Sequence, residues 1–341
     1  MQIIDLRSDT VTKPCKEMLS AMMNAELGDD VFNEDPTTNE LEKYVADLFG
    51  KEAALFCPSG TMTNQIAIKV HTQAGDELLC DVNSHIYNYE GGGISFNSGV
   101  QAKLITGNEG RLSAELIEPC INGNFDWLTN TSLVCLENTV NRAGGSYYSS
   151  HQIKPIYDLC QAQGLKLHLD GARIFNALIE SNDSPKEIGQ YFDSISVCLS
   201  KGLGAPVGSL LVGKKEFIKK ARRIRKVFGG GMRQSGVLAA AGLFALKNNV
   251  QRLKEDHLRA KALEKILLTM PYVDSVLPVY TNIIIFNLKK DKISGLDFEK
   301  KLLDEHIRIS SFGKQTIRMV THLNFTEEML IKTIEILNKI I

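Results

Sequence analysis

The sequence predicts an α/β protein with a mostly parallel sheet covered by helices, followed by a smaller C-terminal α+β domain. From Glu52 to Gly213, short apolar runs alternate with helix-like segments, and beyond about residue 250 the pattern changes to that of a compact α+β unit. A length of 341 residues also fits two domains of about 100–200 residues each. We therefore assign residues 1–250 to a large domain with an N-terminal arm and residues 251–341 to a small domain.

The first part of the chain contains short apolar runs that we predict to be strands. They are AALFCPS at 53–59, ELLCDV at 77–82, QAKLI at 101–105, SLVCLEN at 132–138, LKLHLDGA at 165–172, SISVCLS at 194–200 and GSLLVG at 208–213. Helical segments lie between them, and one of these, IKPIYDLCQAQG, ends at Gly164, where a glycine C-cap belongs. Because ligands bind at the carboxyl ends of the strands in such a sheet, the residues directly after these runs are the candidates for function.

The last part of the chain predicts helices and a few strands. A charged helical stretch from Lys214 to Lys226 precedes FGGGMRQSG, and an alanine-rich apolar helix then extends to about Asn249. After Arg252 come an amphipathic helix, a strand run around TNIIIFNL, the helix LDFEKKLLDEH, the run IRMVTHLNF and the helix EEMLIKTIEILNKII.

Composition excludes several classes of protein. The apolar fraction of 43% and the charged fraction of 23% are those of an ordinary globular protein. With 39 basic and 40 acidic residues, the chain has no overall attraction to nucleic acid or to anionic membranes. The start MQIIDLRSDTVTKP does not resemble a signal peptide, and no apolar stretch approaches a membrane span. The seven cysteines are odd in number and form no C-x-x-C pair, so we expect reduced thiols and a cytoplasmic enzyme.

Two side chains at the ends of predicted strands could bind a carbonyl cofactor. Lys201 in CLSKGLGAP is followed by glycines that allow close approach, and it could form an imine, although a solvated turn lysine would look the same. Asp170 ends a buried run three residues before Arg173 and needs a partner. Either Asp170 and Arg173 pair with each other, or Asp170 holds a pyridine nitrogen protonated while Arg173 contacts another ring substituent.

Two loops could contact a phosphate or a planar ring. The turn PSGTMTN at 58–64 leads into a helix, whose first amides at Gly60 and Thr61 could hold a phosphate, although an ordinary capped turn would look alike. His85 follows the ELLCDV run and could stack on a ring, transfer protons or serve structure alone. The other histidines lack metal-site spacing, so we predict no metal. A dinucleotide fingerprint and a G-x-S-x-G elbow are both absent from the sequence, which excludes those two enzyme classes.

In this order, the phosphate cradle, the histidine, the strand-end aspartate and S-K-G resemble pyridoxal phosphate enzymes of the aspartate aminotransferase fold type. More closely, the chain resembles the threonine aldolase family, in particular its low-specificity L-threonine aldolases. The resemblance spans nearly the whole chain and lies in DLRSDTVTKP at 5–14, GDDVFNEDPTTNELE at 28–42, PSGTMTNQIA at 58–67, the segment 85–92, LENTVNRAGG at 136–145, HLDGARIFNA at 168–177, LSKGLGAPVGS at 199–209, FGGGMRQSG at 228–236 and RMVTHLNF at 318–325.

The resemblance implies roles for the residues around the cofactor. Lys201 would be the Schiff-base lysine, Asp170 the partner of the pyridine nitrogen and Arg173 the partner of the ring oxygen. Gly60 and Thr61 would hold the phosphate, and His85 would stack on the ring. The catalytic residues would then be Lys201, His85 and Asp170.

The resemblance also implies residues for the substrate and for a neighbouring subunit. Ser8 and Arg318 would bind the substrate carboxylate. Lys226 and Arg233 would reach the active site of a second subunit, unless they belong to a solvated basic helix face. Shared sites would make a homodimer the smallest functional unit, and the family commonly forms homotetramers.

The chain departs from the family pattern at two positions. Phe32 stands where the family usually has a tyrosine, which removes a hydroxyl. Val140 stands where many members have the histidine of E-N-T-H-N, which is thought to meet the β-hydroxyl of the substrate. The choice between threonine and allo-threonine therefore stays open.

The implied reaction cleaves L-threonine, L-allo-threonine and related β-hydroxy amino acids between Cα and Cβ, giving glycine and an aldehyde. Such an enzyme would serve threonine catabolism and glycine biosynthesis. Two enzyme alternatives are a pyridoxal phosphate β-eliminating lyase and a relative of serine hydroxymethyltransferase. A further alternative is a pyridoxal phosphate-binding protein without turnover.

Overall fold

The computed structural model describes residues 3–340. Its strands are β1 (Ile4–Asp5), β2 (Ala53–Cys57), β3 (Glu77–Asp81), β4 (Gln101–Ile105), β5 (Thr131–Glu137), β6 (Lys166–Gly171), β7 (Ser194–Cys198), β8 (Ser209–Gly213), β9 (Val273–Val276), β10 (Ile283–Leu288), β11 (Ile307–Arg308), β12 (Ser310–Ser311) and β13 (Thr316–Val320). Its α-helices are α1 (Lys16–Met23), α2 (Pro36–Leu48), α3 (Gly60–His71), α4 (His85–Asn88), α5 (Gly93–Ser98), α6 (Ala114–Ile117), α7 (Ser150–Gln163), α8 (Ile174–Ser181), α9 (Pro185–Gly189), α10 (Lys215–Val227), α11 (Gly236–Asn248), α12 (Leu253–Leu267), α13 (Gly295–Asp304) and α14 (Glu327–Leu337). Short 3₁₀ turns occupy Asp9–Val11, Asp30–Phe32 and Glu118–Cys120.

The central sheet has the strand order β2-β8-β7-β6-β5-β3-β4. The pairs β3-β4, β3-β5, β5-β6 and β6-β7 are parallel, whereas β8 runs antiparallel to both of its neighbours. Strands β3, β7 and β8 are buried along their whole length, as expected for a sheet with helices on both faces. The predicted fold, a mostly parallel sheet covered by helices, is confirmed.

Local sequence signals set the ends of the helices. Pro36 occupies the first turn of α2 behind Asp35, whose carboxylate accepts the amide of Thr38. Helix α7 begins at a capping box made by Ser149 and Gln152 and ends at Gly164, which has φ +69°. The left-handed backbone at Gly164 explains why a glycine closes this helix.

Two large apolar clusters lie in the described part of the chain. The first packs the central sheet against its helices and includes Leu136 and Val197. The second includes Leu263 of α12 and Ile284 of β10, beside an antiparallel sheet of order β12-β13-β10-β9. The division into two domains near residue 250 falls between α11 and α12 and stays a prediction.

The N-terminal arm packs on the second cluster. Strand β1 pairs in parallel with β11, with Ile4 opposite Ile307, and both Ile4 and Leu6 belong to that cluster. The residues that follow therefore cross from the C-terminal unit to the edge of the central sheet. Within residues 3–340, no helix combines the length and the apolar character needed to cross a membrane.

Candidate active site

The carboxyl edge of the parallel strands gathers four of the predicted residues. Asp170 lies near the end of β6, while Gly60, His85 and Lys201 follow β2, β3 and β7. Parallel strands of one sheet end at the same edge, so these residues lie along one side of the sheet.

Ser209 lies at the same edge, although it was not among the predicted site residues. Strand β8 is antiparallel to its neighbours, and its first residue therefore pairs with Cys57 and Cys198, the last residues of β2 and β7. The Ser209 hydroxyl is buried and, within residues 3–340, has no hydrogen-bond partner. It lies 3.6 Å from the position that a Cβ would take on Gly60.

The start of α3 leaves backbone donors free for an anion. The Ser59 hydroxyl accepts the amide of Met62, and the Ser59 carbonyl accepts the amide of Thr63. In the described chain the amides of Gly60 and Thr61 have no partner, and such amides at a helix N-terminus favour a phosphate. A Cβ on Gly60 would lie only 2.5 Å from Cys198 Sγ, so this position requires glycine.

Asp170 is buried and is held by two donors. Its Oδ2 accepts from Asn64 Nδ2 at 2.9 Å, and its Oδ1 accepts from the amide of Ala172 at 3.1 Å. An ionised carboxylate offers about four acceptor sites, so both oxygens can accept a further donor. Asn64 donates at the same distance, 2.9 Å, to Glu90 Oε1, and the amide group therefore joins two carboxylates.

His85 is oriented by Glu90. His85 Nδ1 lies 3.0 Å from Glu90 Oε1, and the amide of His85 donates to Glu137 at 2.7 Å. Burial acts to lower the pKa of His85, but the hydrogen bond to Glu90 and the charges of Asp170, Glu90 and Glu137 raise it above its usual value. Because Glu90 only accepts, His85 carries a proton on Nδ1 and leaves Nε2 as its second site.

Glu137 lies opposite Asp170 in the register of β5 and β6. Its carboxyl group is buried, and its two oxygens accept the amides of His85 and Asn141. Burial and the neighbouring charge of Asp170 raise the pKa of Glu137 to about 7.

Arg173 does not pair with Asp170, so the structural pairing considered from the sequence is wrong. Arg173 Nε and Nη2 instead donate to the two oxygens of Asp9, at 2.8 and 2.7 Å. Both side chains are buried. Burial alone would raise the pKa of Asp9, but the Arg173 guanidinium holds it far below its usual range. The fold satisfies Arg173 through the N-terminal arm, which leaves Asp170 free for another cation.

Lys201 lies beside this ion pair. Its Nζ is 3.8 Å from Cys198 Sγ, and its carbonyl accepts the Thr12 hydroxyl at 2.9 Å. The positive charge of Lys201 is among the groups that lower the pKa of Asp9, which places the two side chains near each other. The charges of Lys201 and Arg173 therefore act on the same buried carboxylate.

Arg318 contacts the N-terminal arm next to Ser8. Arg318 Nη2 donates to the Arg7 carbonyl at 2.9 Å, next to Ser8, and Nη1 donates to Asn141 Oδ1 at 2.9 Å. Burial and the nearby charge of Arg173 lower the pKa of Arg318 to about 10. Arg318 Nε is buried and has no hydrogen-bond partner within residues 3–340.

Lys226 and Arg233 lie apart from this group. Both are exposed, and Arg233 Nη1 pairs with Asp29 at 2.9 Å. Within the described residues, no hydrogen bond or ion pair connects them to the edge that carries Lys201. Their assignment to the site of a neighbouring subunit stays a prediction.

The two departures from the family pattern have different surroundings. Phe32 is 67% exposed and ends a 3₁₀ turn. Val140 is 1% exposed, and a Cβ added to Gly110 would lie 2.5 Å from its Cγ1. Val140 is therefore a packing residue under the turn at Gly110.

Five residues of the site were missed from the sequence: Asp9, Asn64, Glu90, Glu137 and Ser209. All five lie within segments that the resemblance contains, so their polar character within those segments was the available signal. What the sequence lacked was evidence of burial, since a carboxylate needs partners only when it leaves water.

A metal ion is a second possible occupant of this edge. His85, Glu90 and Asp170 place possible ligand atoms within 4.8 Å of one another. The Asn64 amide already bridges Glu90 and Asp170, and Glu90 accepts from His85, so hydrogen bonds account for the cluster. The absence of a metal site stays a prediction.

The donors and acceptors at this edge suit pyridoxal phosphate. The amides of Gly60 and Thr61, with the unpartnered Ser209 hydroxyl, match a phosphate group. The Asp170 carboxylate matches a protonated pyridine nitrogen, and the Lys201 amine matches an aldehyde carbon.

Comparison with known proteins shows which family the chain belongs to. The chain matches the beta-eliminating lyase family over residues 5–291. The probable low-specificity L-threonine aldolase 2 of Arabidopsis thaliana is 45% identical over 328 residues, which cover 94% of this chain and 92% of the relative. The low specificity L-threonine aldolase of Escherichia coli K12 is 43% identical over 329 residues, which cover 96% of each chain.

Among solved structures, the threonine aldolase of Leishmania major superposes with a TM-score of 0.85 at 20% identity, covering 98% of this chain and 99% of that one. This similarity shows the fold, and the sequence relatives show the family. The chain therefore belongs to the beta-eliminating lyase family and, within it, to the pyridoxal phosphate-dependent lyases named low-specificity L-threonine aldolases.

Proposed function

We propose that this protein cleaves L-threonine, L-allo-threonine and related β-hydroxy amino acids to glycine and an aldehyde. The main support for the proposal is that Arg173 and Arg318 donate to the same acceptor. Arg173 Nη1 and Arg318 Nη1 both point at Asn141 Oδ1, at 3.5 and 2.9 Å. A carboxylate held by Arg318 would thus lie next to the group proposed for the ring oxygen.

Different residues of the chain would hold the cofactor and the substrate. Lys201 would bond to the cofactor, Asp170 would hold its pyridine nitrogen, and Arg173 would hold its ring oxygen. When bound, pyridoxal phosphate supplies a sink for the electron pair released at Cα. Arg318 and the Ser8 hydroxyl would hold the substrate carboxylate, and this orientation decides which bond at Cα breaks.

His85 is the proposed base. Because Nδ1 faces Glu90, Nε2 is the nitrogen that can take the β-hydroxyl proton, directly or through a water. The raised pKa of His85 means that a larger share of the imidazole is already protonated near neutral pH, so the base form increases as pH rises.

The test is release of glycine and aldehyde from L-threonine, L-allo-threonine, L-phenylserine and their D forms, with added pyridoxal phosphate. We expect cleavage of the L forms by the native enzyme and none by Lys201→Ala. Binding of the cofactor without aldehyde from any of these compounds would refute the proposal.

The family match over residues 5–291 favours β-elimination as the second candidate. This reaction releases a keto acid and ammonia instead of glycine and an aldehyde. Assaying both pairs of products in the same reaction therefore separates the two candidates.

We also propose a homodimer or homotetramer with shared sites, in the cytoplasm, active in threonine catabolism and glycine formation. The exposed Lys226 and Arg233 support shared sites because they have no role at their own sheet edge. Seven free cysteines, five of them buried, support a reducing compartment. Sedimentation of the holoenzyme tests the assembly, and a monomer with full activity would contradict it.

A further inference from the structure

A buried chain of hydrogen bonds continues from Asp170 away from the site, under α3 and across β6 and β7. After Asn64, which donates to Asp170, the next member is His168, whose Nε2 lies 3.2 Å from Asn64 Oδ1. His168 Nδ1 lies 2.8 Å from Ser194 Oγ, and the same hydroxyl lies 2.8 Å from His71 Nε2.

The two carboxylates fix the direction of every bond in this chain. Asp170 and Glu90 can only accept, so both hydrogens of the Asn64 amide point at them and Asn64 Oδ1 must accept from His168. His168 then carries its proton on Nε2. Its Nδ1 is therefore an acceptor. The Ser194 carbonyl oxygen, 3.2 Å from Nδ1, is also an acceptor, so these two atoms do not form a hydrogen bond.

The direction of the two remaining hydrogen bonds, both to the Ser194 hydroxyl, follows because a hydroxyl group has only one hydrogen to donate. Ser194 donates it to His168 Nδ1, so His71 must donate from Nε2 to Ser194. Both imidazoles are neutral near pH 7, because burial lowers the pKa of His168 to about 4 and that of His71 to about 3. All donors of the chain therefore point toward Asp170.

The far end of the chain of hydrogen bonds lies at the edge of the sheet where β6 and β7 begin. His71 ends α3 and stacks on Phe217, with ring centroids 4.5 Å apart. A surface hollow at this end is lined by the charged residues Lys166, Asp193, Lys214, Glu216 and Lys220.

We propose that Asn64, His168 and Ser194 are positioning residues that aim the Asp170 carboxylate at the pyridine nitrogen of the cofactor. This inference rests on the role of Asp170 in the proposed function. If Ser194 loses its hydroxyl, His168 Nδ1 loses its donor and the imidazole is free to carry its proton on Nδ1. A lone pair on Nε2 would then face Asn64 Oδ1, and the amide would turn away from Asp170.

The chain offers a matched control on the same strand. Ser196 is also buried on β7, and its hydroxyl lies 2.5 Å from that of Thr63 on α3, outside the chain of hydrogen bonds. Ser194→Ala and Ser196→Ala therefore remove the same group from the same strand and face. His168→Leu and His168→Gln form a second pair, because a glutamine amide can still donate to Asn64 whereas leucine cannot.

The experiment measures two properties of the holoenzymes. One is the dissociation constant of pyridoxal phosphate, and the other is the midpoint of the change of the cofactor's visible absorbance with pH. We expect Ser194→Ala and His168→Leu to weaken cofactor binding about tenfold, the loss typical of one hydrogen bond to a charged group, and to shift the midpoint. Ser196→Ala and His168→Gln should stay close to the native enzyme.

The inference is overturned if Ser194→Ala leaves both properties unchanged, or if Ser196→Ala changes them as much as Ser194→Ala does. If His168→Leu does not fold, the pair of serine variants still decides. The cofactor readouts do not depend on which amino acid is the substrate. Failure of aldehyde release with an intact native spectrum would therefore refute the proposed function alone.

Discussion

Arg173 and Asp9 form a bidentate buried ion pair between residues 164 positions apart in the sequence. The pair joins the segment that follows β6 to the N-terminal arm. Asn282 also donates to Asp9, at 3.3 Å, so the C-terminal unit contacts the same carboxylate. One buried acid therefore connects three distant parts of the chain at the proposed cofactor site.

Replacing Asp9 by asparagine should destabilise the protein by about 3 kcal/mol, because the Arg173 guanidinium stays buried without its counter-charge. The matched control is Asp5→Asn, which breaks the partly exposed pair of Asp5 with Arg7 and should cost about 1 kcal/mol or less. Urea unfolding of both variants measures the difference. Equal losses of unfolding free energy would show that burial of an ion pair does not increase the cost of breaking it.

Stability should fall as pH falls through the titration range of His168. The folded protein holds the pKa of His168 at about 4 against 6.5 for the free side chain, so the unfolded state takes up a proton first. The stabilising contribution is complete above pH 6.5 and is lost between pH 6.5 and about 4, by about 3 kcal/mol at the acid end. Unfolding midpoints measured over this range should change less with pH for His168→Gln than for the native protein. A parallel decline in both proteins would contradict the assignment.

Gly60→Ala should abolish cofactor binding at the start of α3, because the new methyl group would stand 2.5 Å from Cys198 Sγ. The second substitution Cys198→Ala removes that sulfur and should restore much of the affinity in the double variant. Titration with pyridoxal phosphate measures both. Unchanged affinity in Gly60→Ala would show that the backbone at this position can move.

Val140→His should destabilise the protein by about 1–3 kcal/mol, because the larger ring must fit under Gly110. Val227→His, at a position 77% exposed on α10, is the control and should change stability by about 0.5 kcal/mol or less. If Val140→His folded with native stability and altered the ranking of threonine and allo-threonine, Val140 would border the substrate after all.

Arg318→Lys should raise KM for the amino acid about tenfold or more while leaving the cofactor spectrum unchanged, because lysine cannot make the two directed bonds of a guanidinium to a carboxylate. Arg142 provides the control, since its Cζ lies 5.4 Å from the centroid of the Phe312 ring, and Arg318 Cζ lies 4.4 Å from the same centroid. Arg142→Lys should leave KM near the native value. Steady-state kinetics of the two variants measure this difference in KM.

Local patterns in the sequence were sufficient to predict most of the fold. Each apolar run between Glu52 and Gly213 forms a strand, and Gly164 closes its helix, because strand burial and helix capping depend on neighbouring residues. The short strands β1, β9, β11 and β12 were not predicted, since two to four residues carry no recognisable period. The direction of β8 was not predicted either, and this direction brings Ser209 to the site.

The sequence by itself determined the α/β class, the family and the residues that follow the strand ends, because these depend on periodicity and on motifs that are local. The tertiary structure alone decided that Arg173 pairs with Asp9, that Asn64 joins Asp170 to Glu90, and that Val140 is buried under Gly110. The partner of a buried charge is whichever group the folded chain brings within hydrogen-bond distance, and the sequence does not carry that distance.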